Sequence, residues 1–380
     1  MLLFTSYANA QNPFNTLPDQ YFDTEVVNVL PLNDLNNYNG TDADFVHSGL
    51  RDPYGHIVHF TIDGVVYDSL GVEIGELDNS ATYLTKGNAE LLTVPKPGTC
   101  KEFYLFHSYR EDPNDAQSDE RPYWSFYDHE VGSLAADPVD GYTAFDMISR
   151  DSLMSDTAWT DPEHAVRGIH FAATKERNDS TRWVFISNNF DVYRVDVTCD
   201  GLVNTGFRHR INPLSSSNTA LDLGWRSELE IFENVVDSTV TIAVPIMDIF
   251  TDSVGTDYSV AISIFTVDST GTVVPNSDIL LRLEDISGGG KTFVHGLEFS
   301  PDGSKLFFTH EPNTPYPSTL SYYDFNSQTI VDLPTADYTD VENFKLSQLQ
   351  IVGEFGFYYL ILASDDYLGR LRSPNNPDDI

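Results

Sequence analysis

The chain is poor in cysteine, methionine, tryptophan and basic residues: two Cys, four Met, four Trp and 21 Lys plus Arg in 380 residues. Two cysteines, Cys100 in Pro-Gly-Thr-Cys and Cys199 in Val-Thr-Cys-Asp-Gly, are too few for a thiolate metal cluster or a disulfide-dense scaffold. In an exported chain an even count favours one bridge, so a Cys100–Cys199 disulfide between neighbouring loops is expected, with two separate thiols as the alternative. The few basic residues face 58 acidic ones, giving a formal net charge of −37 spread along the chain rather than gathered in a tail. Such a surface repels nucleic acid and anionic membrane, and it suits solubility in salty surroundings or the capture of divalent cations. Beyond the first residues, no stretch reaches the roughly 18 apolar residues of a membrane-spanning helix, so no membrane span is expected.

What is abundant points to strands. With 24 Phe and 20 Tyr among 41% hydrophobic residues, alongside many Val, Ile and Thr, the chain has material for a large all-β core. Met1 to Tyr7 is apolar and runs into Ala8-Asn9-Ala10, which fits cleavage of an export signal before Gln11. Residues 11–47 are expected to give a closing strand or partial blade, 48–372 the main fold, and 373–380 a polar tail. Within the main fold one unit recurs: an apolar strand, a turn, an aromatic strand and a third strand ending in a polar hairpin. Its clearest copy runs from Val294 through Ser300-Pro301-Asp302-Gly303 to His310, followed by Leu320 to Phe325 and Thr329 to Val331. Other copies begin near Gly49, Ala89, Arg167, Ser227 and Leu346. Spacings of roughly 40 to 80 residues bracket four-stranded blades with loop insertions. The expected architecture is an all-β propeller of six or seven antiparallel blades with WD40- or YVTN-like repeats. The rival is a tandem pair of β-sandwiches.

The wording of the repeats resembles the propeller region of secreted Bacteroidota proteins of the cell-surface and gliding-motility-associated type, often followed by PKD-like modules. Leu92-Thr93-Val94-Pro95-Lys96-Pro97-Gly98 before Phe103-Tyr104-Leu105-Phe106, then Phe299-Ser300-Pro301-Asp302-Gly303-Ser304-Lys305-Leu306, and Tyr367-Leu368-Gly369-Arg370-Leu371 with Ser373-Pro374-Asn375 carry the likeness. It implies export, a place at the cell surface or in the medium, and a binding or scaffolding role, and it brings no catalytic residues.

No motif specifies catalysis. Ser287-Gly288-Gly289-Gly290-Lys291-Thr292 looks like a phosphate loop, but Asp285 stands where a glycine is needed and a strand rather than a helix follows. There is no Gly-x-Ser-x-Gly elbow. The oxygen-rich run holding Asp112, Asn114, Asp115, Asp119 and Glu120 has spacings that suit calcium, though it lacks the central glycine and distant bidentate Glu of a helix-loop-helix site, and an exposed loop is the plainer reading. Calcium is the sole cofactor candidate. His295 and His310 lie on the two arms of one hairpin without a third metal ligand in view. Trp124, in Tyr123-Trp124-Ser125-Phe126-Tyr127, and the sparse cations Arg167, Arg208 and Arg210 are candidate binding residues, because Trp and Arg dominate recognition hot spots. Trp124 shares a strand face with Phe126, which equally suits packing.

The function expected is therefore a secreted or cell-surface module that binds a protein, a glycan or copies of itself, without nucleic-acid contact. One alternative is a structural subunit of an extracellular filament. Another is a metal-dependent propeller hydrolase or lactonase, whose signature would be Asp, Asn, Glu or His side chains converging on a central axis.

Overall fold

The computed structural model describes residues 20–23, 28–31, 47–51, 57–62, 65–76, 92–98, 102–110, 120–128, 133–134, 146–147, 169–177, 180–188, 191–211, 229–251, 256–283, 292–312, 319–333, 348–354, 357–363 and 368–372. Among them there is no helix, and so none long and apolar enough to cross a membrane. The chain divides into two compact units, Met1–His209 and Arg210–Ile380.

The first unit opens with a hairpin of β1 (Gln20–Asp23) and β2 (Asn28–Pro31). Three antiparallel sheets follow. One runs in chain order through β3 (His47–Arg51), β4 (Ile57–Ile62), β5 (Val65–Asp68) and β6 (Glu73–Glu76). The next holds β7 (Leu92–Pro95), β8 (Glu102–Arg110), β9 (Glu120–Asp128) and β10 (Ser133–Leu134), and β11 (Asp146–Met147) also pairs with β9. The third holds β12 (His170–Ala173), β13 (Arg182–Ser187), β14 (Asp191–Thr198) and β15 (Gly201–Arg210), whose last residue is the first of the second unit.

The second unit repeats the plan. Its sheets are β16 (Glu230–Asn234), β17 (Thr239–Thr251), β18 (Thr256–Val267) and β19 (Ile279–Arg282); then β20 (Thr292–Phe299), β21 (Lys305–Pro312), β22 (Thr319–Asp324) and β23 (Thr329–Asp332); then β24 (Gln348–Glu354), β25 (Phe357–Ala363) and β26 (Leu368–Arg372).

Within each unit, successive sheets meet through their first strands. In the first unit β3 touches β7 and β7 touches β12; in the second, β16 touches β20 and β20 touches β24. Strand alternation explains how a sheet can face two neighbours at once. On β21 the run Leu306-Phe307-Phe308 is wholly buried, but Leu306 and Phe308 join one core with Ile262, Leu297 and Phe299, whereas Phe307 joins another with Tyr322, Leu333 and Leu349. In the first unit Phe106, Phe171, Val184, Ile186, Tyr193 and Val195 form the core between the β7–β10 and β12–β15 sheets. Each fully buried Phe or Ile of this kind contributes about 1.5–3 kcal/mol relative to an exposed position.

Turn chemistry fixes the registers. In Ser300-Pro301-Asp302-Gly303 the Gly303 N–H donates to the Ser300 carbonyl at 2.8 Å, Asp302 Oδ1 accepts from the Ser304 N–H at 3.0 Å, and Gly303 has φ 69°. A second device recurs two hundred residues apart: Asp68 in Asp-Ser-Leu-Gly-Val and Asp268 in Asp-Ser-Thr-Gly-Thr each accept from the N–H groups two and four residues on, at 2.8–3.0 Å. Of the two cysteines expected to pair, the described residues include only Cys199. Cys199 is an exposed free thiol at the β14–β15 hairpin tip, where the chain reverses into solvent, and Cys100 lies outside the described residues.

Gly303 also lies against the Phe232 ring of β16, and a Cβ there would overlap the ring atoms Cε1, Cζ and Cδ1. Gly303→Ala is therefore expected to cost about 2–4 kcal/mol, from left-handed backbone strain plus overpacking. In a Phe232→Ala background the same change should cost only about 1–2 kcal/mol. Urea unfolding of the four proteins of this cycle checks it; equal costs in both backgrounds would show that the two sheets do not interlock there. Separately, a thiol reagent should modify Cys199 in the native protein, with Cys199→Ser removing one equivalent.

Candidate functional site

Asp112, Asn114, Asp115, Asp119 and Arg167 lie outside the described residues, and Glu120 opens β9 opposite Arg110. Trp124 is half-buried and packs with Phe126 on the core of the first unit, its ring edge-on to Tyr104 at 5.6 Å between centroids. His310 is buried opposite Val294, because the β20–β21 register shifts between Val294 and Leu297.

The described cations that gather do so on the β12–β15 sheet. Arg208 sits on the edge strand β15, with Arg210 two residues on, and hence on the same face of the strand. Arg208 Nη2 donates to Asp191 Oδ2 at 2.8 Å, and its guanidinium carbon lies 5.8 Å from the Tyr193 ring centre. The pair is unequal: the Asp191 side chain is 5% exposed and that of Arg208 57%. The hydrogen bond to Asp191 raises the Arg208 pKa above its ordinary value despite partial burial. Asp191 is itself placed by the tight β13–β14 connection, where its N–H donates to Asn188 Oδ1 at 2.7 Å. The result is a guanidinium held from below by a buried carboxylate and open to solvent above.

On the opposite face of this sheet stands Trp183, 4% exposed, with Phe185 edge-on at 6.3 Å. Two guanidiniums share the indole: the Arg177 carbon is 3.7 Å and the Arg194 carbon 4.4 Å from the ring centre. Arg194 Nε lies 3.0 Å from Asp196 Oδ1, and Arg182 Nη2 lies 3.6 Å from Glu176 Oε2. Sequence reasoning missed this group because its members come from three places in the chain. Arg177 belongs to the β12–β13 turn, closed by its N–H donating to the Thr181 carbonyl at 2.8 Å, and Arg194 reaches Trp183 diagonally from β14.

In the second unit a polar ladder crosses three strands. Ser321 Oγ donates to Asp332 Oδ1 at 2.6 Å, so its lone pairs face His310 Nε2 at 2.9 Å, and that nitrogen carries the proton. Burial lowers the His310 pKa and Asp332 opposes the shift. Ser321 is 0% exposed and its proton is committed to Asp332, so this is a cross-strand pin rather than an exposed nucleophile. No group of three or more metal-ligating side chains occurs among the described residues.

His170, at the start of β12, generates a pH prediction. Burial lowers its pKa from 6.5 to about 4. As pH falls, the unfolded chain takes up the imidazole proton first. The neutral ring thus contributes stability in full above pH 6.5, and that contribution is lost between pH 6.5 and about 4. The loss amounts to about 3 kcal/mol. His170→Gln should flatten the pH dependence of the urea midpoint in that window. An unchanged slope would show that the imidazole does not carry it.

No family model and no curated sequence matches the chain. Among solved structures, similarity is found to a prolyl endopeptidase (10% identity, TM-score 0.32), covering 77% of this chain and 35% of that one. A thermostable family-43 glycoside hydrolase is matched at 10% identity and TM-score 0.36 over 75% of this chain and 88% of that one. A β-xylosidase is matched at 8% identity and TM-score 0.32 over 77% and 95%. Superpositions this loose carry no argument for this chain, whose fold is read from its own sheets.

Proposed function

We propose that the six sheets are the blades of a β-propeller of six or seven blades, and that it works outside the cell or at its surface as a non-catalytic binding and scaffolding module. First-strand contacts between successive sheets within each unit support the architecture, as does a middle sheet in the second unit that packs apolar residues from both faces; a sandwich has two sheets and leaves one face of each to solvent. The observation that carries the binding role is Arg208. A guanidinium ordered by a buried carboxylate loses little side-chain entropy on meeting a partner, which is what recognition by arginine requires. The partner is a protein or glycan that offers hydrogen-bond acceptors to this edge of the β12–β15 sheet.

Glycan-array and cross-linking screens of the exported chain should yield a ligand that binds wild type at least about ten-fold more tightly than an Arg208→Ala, Arg210→Ala double variant, one lost hot spot being enough for that. Undiminished binding by the variant would move the interface elsewhere. Hydrolysis of glycosides or lactones that disappears on chelation would overturn the non-catalytic reading.

A further inference from the structure

The β12–β15 region stands apart in charge. Residues 169–211 hold Lys175, Arg177, Arg182, Arg194, Arg208 and Arg210 against Glu176, Asp179, Asp191, Asp196 and Asp200, in a chain with 21 basic and 58 acidic residues. Among the described residues, the guanidiniums of Arg177 and Arg194 share the Trp183 ring, and Asp196 Oδ1 lies 3.0 Å from Arg194 Nε.

Arg194 is only 8% exposed, and its Nη1 has no hydrogen-bond acceptor. The indole does not remove that deficit. Stacking engages the flat face of a guanidinium, whereas its N–H donors lie in the plane and still need oxygen. Burial pushes the Arg194 pKa down, Asp196 pulls it up and Arg177 pushes it down again, so a second anion would relieve both the desolvation and the like-charge contact. At the β12–β13 turn Arg177 is partly exposed and the Glu176 side chain is 41% exposed. The negative field of the whole chain is screened within about 8 Å at physiological salt, so nearby charges decide what enters.

We propose that Arg177 and Arg194, stacked on Trp183, form a binding site for one carboxylate, whose oxygens accept from Arg194 Nη1 and from the Arg177 guanidinium. A carboxylate offers two coplanar acceptor oxygens, the geometry that guanidinium N–H donors take. The carboxylate is either a free small acid or the acid group of a uronate sugar. The site lies on the face of the sheet opposite Arg208 and does not depend on the binding role proposed for that residue.

The test is titration of the full chain with sodium acetate, and separately with sodium glucuronate, against sodium chloride at constant ionic strength, followed by Tm and by tryptophan fluorescence. Acetate is expected to raise Tm saturably and to shift the emission, with chloride doing neither. Both effects should weaken at least ten-fold in Arg177→Gln and persist in Arg282→Gln, a change at an exposed residue of β19. Arg177→Lys, which keeps the charge but loses the planar fork, should fall between, and it serves if Arg177→Gln fails to fold. Glucuronate binding tighter than acetate assigns the sugar-borne acid, and equal binding assigns the free one. Identical behaviour in acetate and chloride, or an undiminished response in Arg177→Gln with Arg177→Lys, overturns the site.

Discussion

The constraint on which the structure rests is that a middle sheet must bury both of its faces. Alternation along β21 sends Leu306 and Phe308 to one neighbour and Phe307 to the other. Neither core could form if that strand faced water, because three consecutive large apolar side chains have no solvent side to retreat to. Sheets so patterned do not close as isolated hairpins, and within a unit each acquires its stability from its neighbours. Within each unit the contact runs through first strands, β3 to β7 to β12 and β16 to β20 to β24.

Much of this was legible in the sequence because buried strands and their turns carry strong local signals. Leu306-Phe307-Phe308 beside Ser300-Pro301-Asp302-Gly303 specifies strand, reversal and strand within a dozen residues, and β20 and β21 lie where those residues indicate. The reading of Phe293 to Phe299 as a strand, which removed the phosphate-loop interpretation, likewise agrees with β20. β15 was harder to see. Its Gly201–Arg210 stretch is polar and half-exposed, with Asn204 Oδ1 accepting from the Gly206 N–H inside the strand, so the period of two is broken where it would be looked for.

The candidate sites were legible only in part, for a reason of geometry. A hot-spot argument picks out Arg208 by residue type alone, but what orders its guanidinium is Asp191, seventeen residues earlier on a neighbouring strand. Trp124 has the right chemistry for recognition and a place on the core that uses it for packing. The Trp183 cluster depends on a diagonal relation between β13 and β14 and on a turn residue, and none of these is encoded by spacing along one strand. Cys199 belongs to the same class: composition indicates that a pair exists, while only the hairpin places this thiol at an exposed tip.

Gly206, with φ 69° and no Cβ neighbour within 4 Å, interrupts the outer rim of the β12–β15 sheet midway along β15. A rim bent in this way presents its amides and carbonyls out of line, which discourages another extended chain from zipping onto it. Whatever meets this rim is thus recognised by its side-chain groups one at a time, and a molecule with so long an outer strand is guarded against runaway stacking with its own kind.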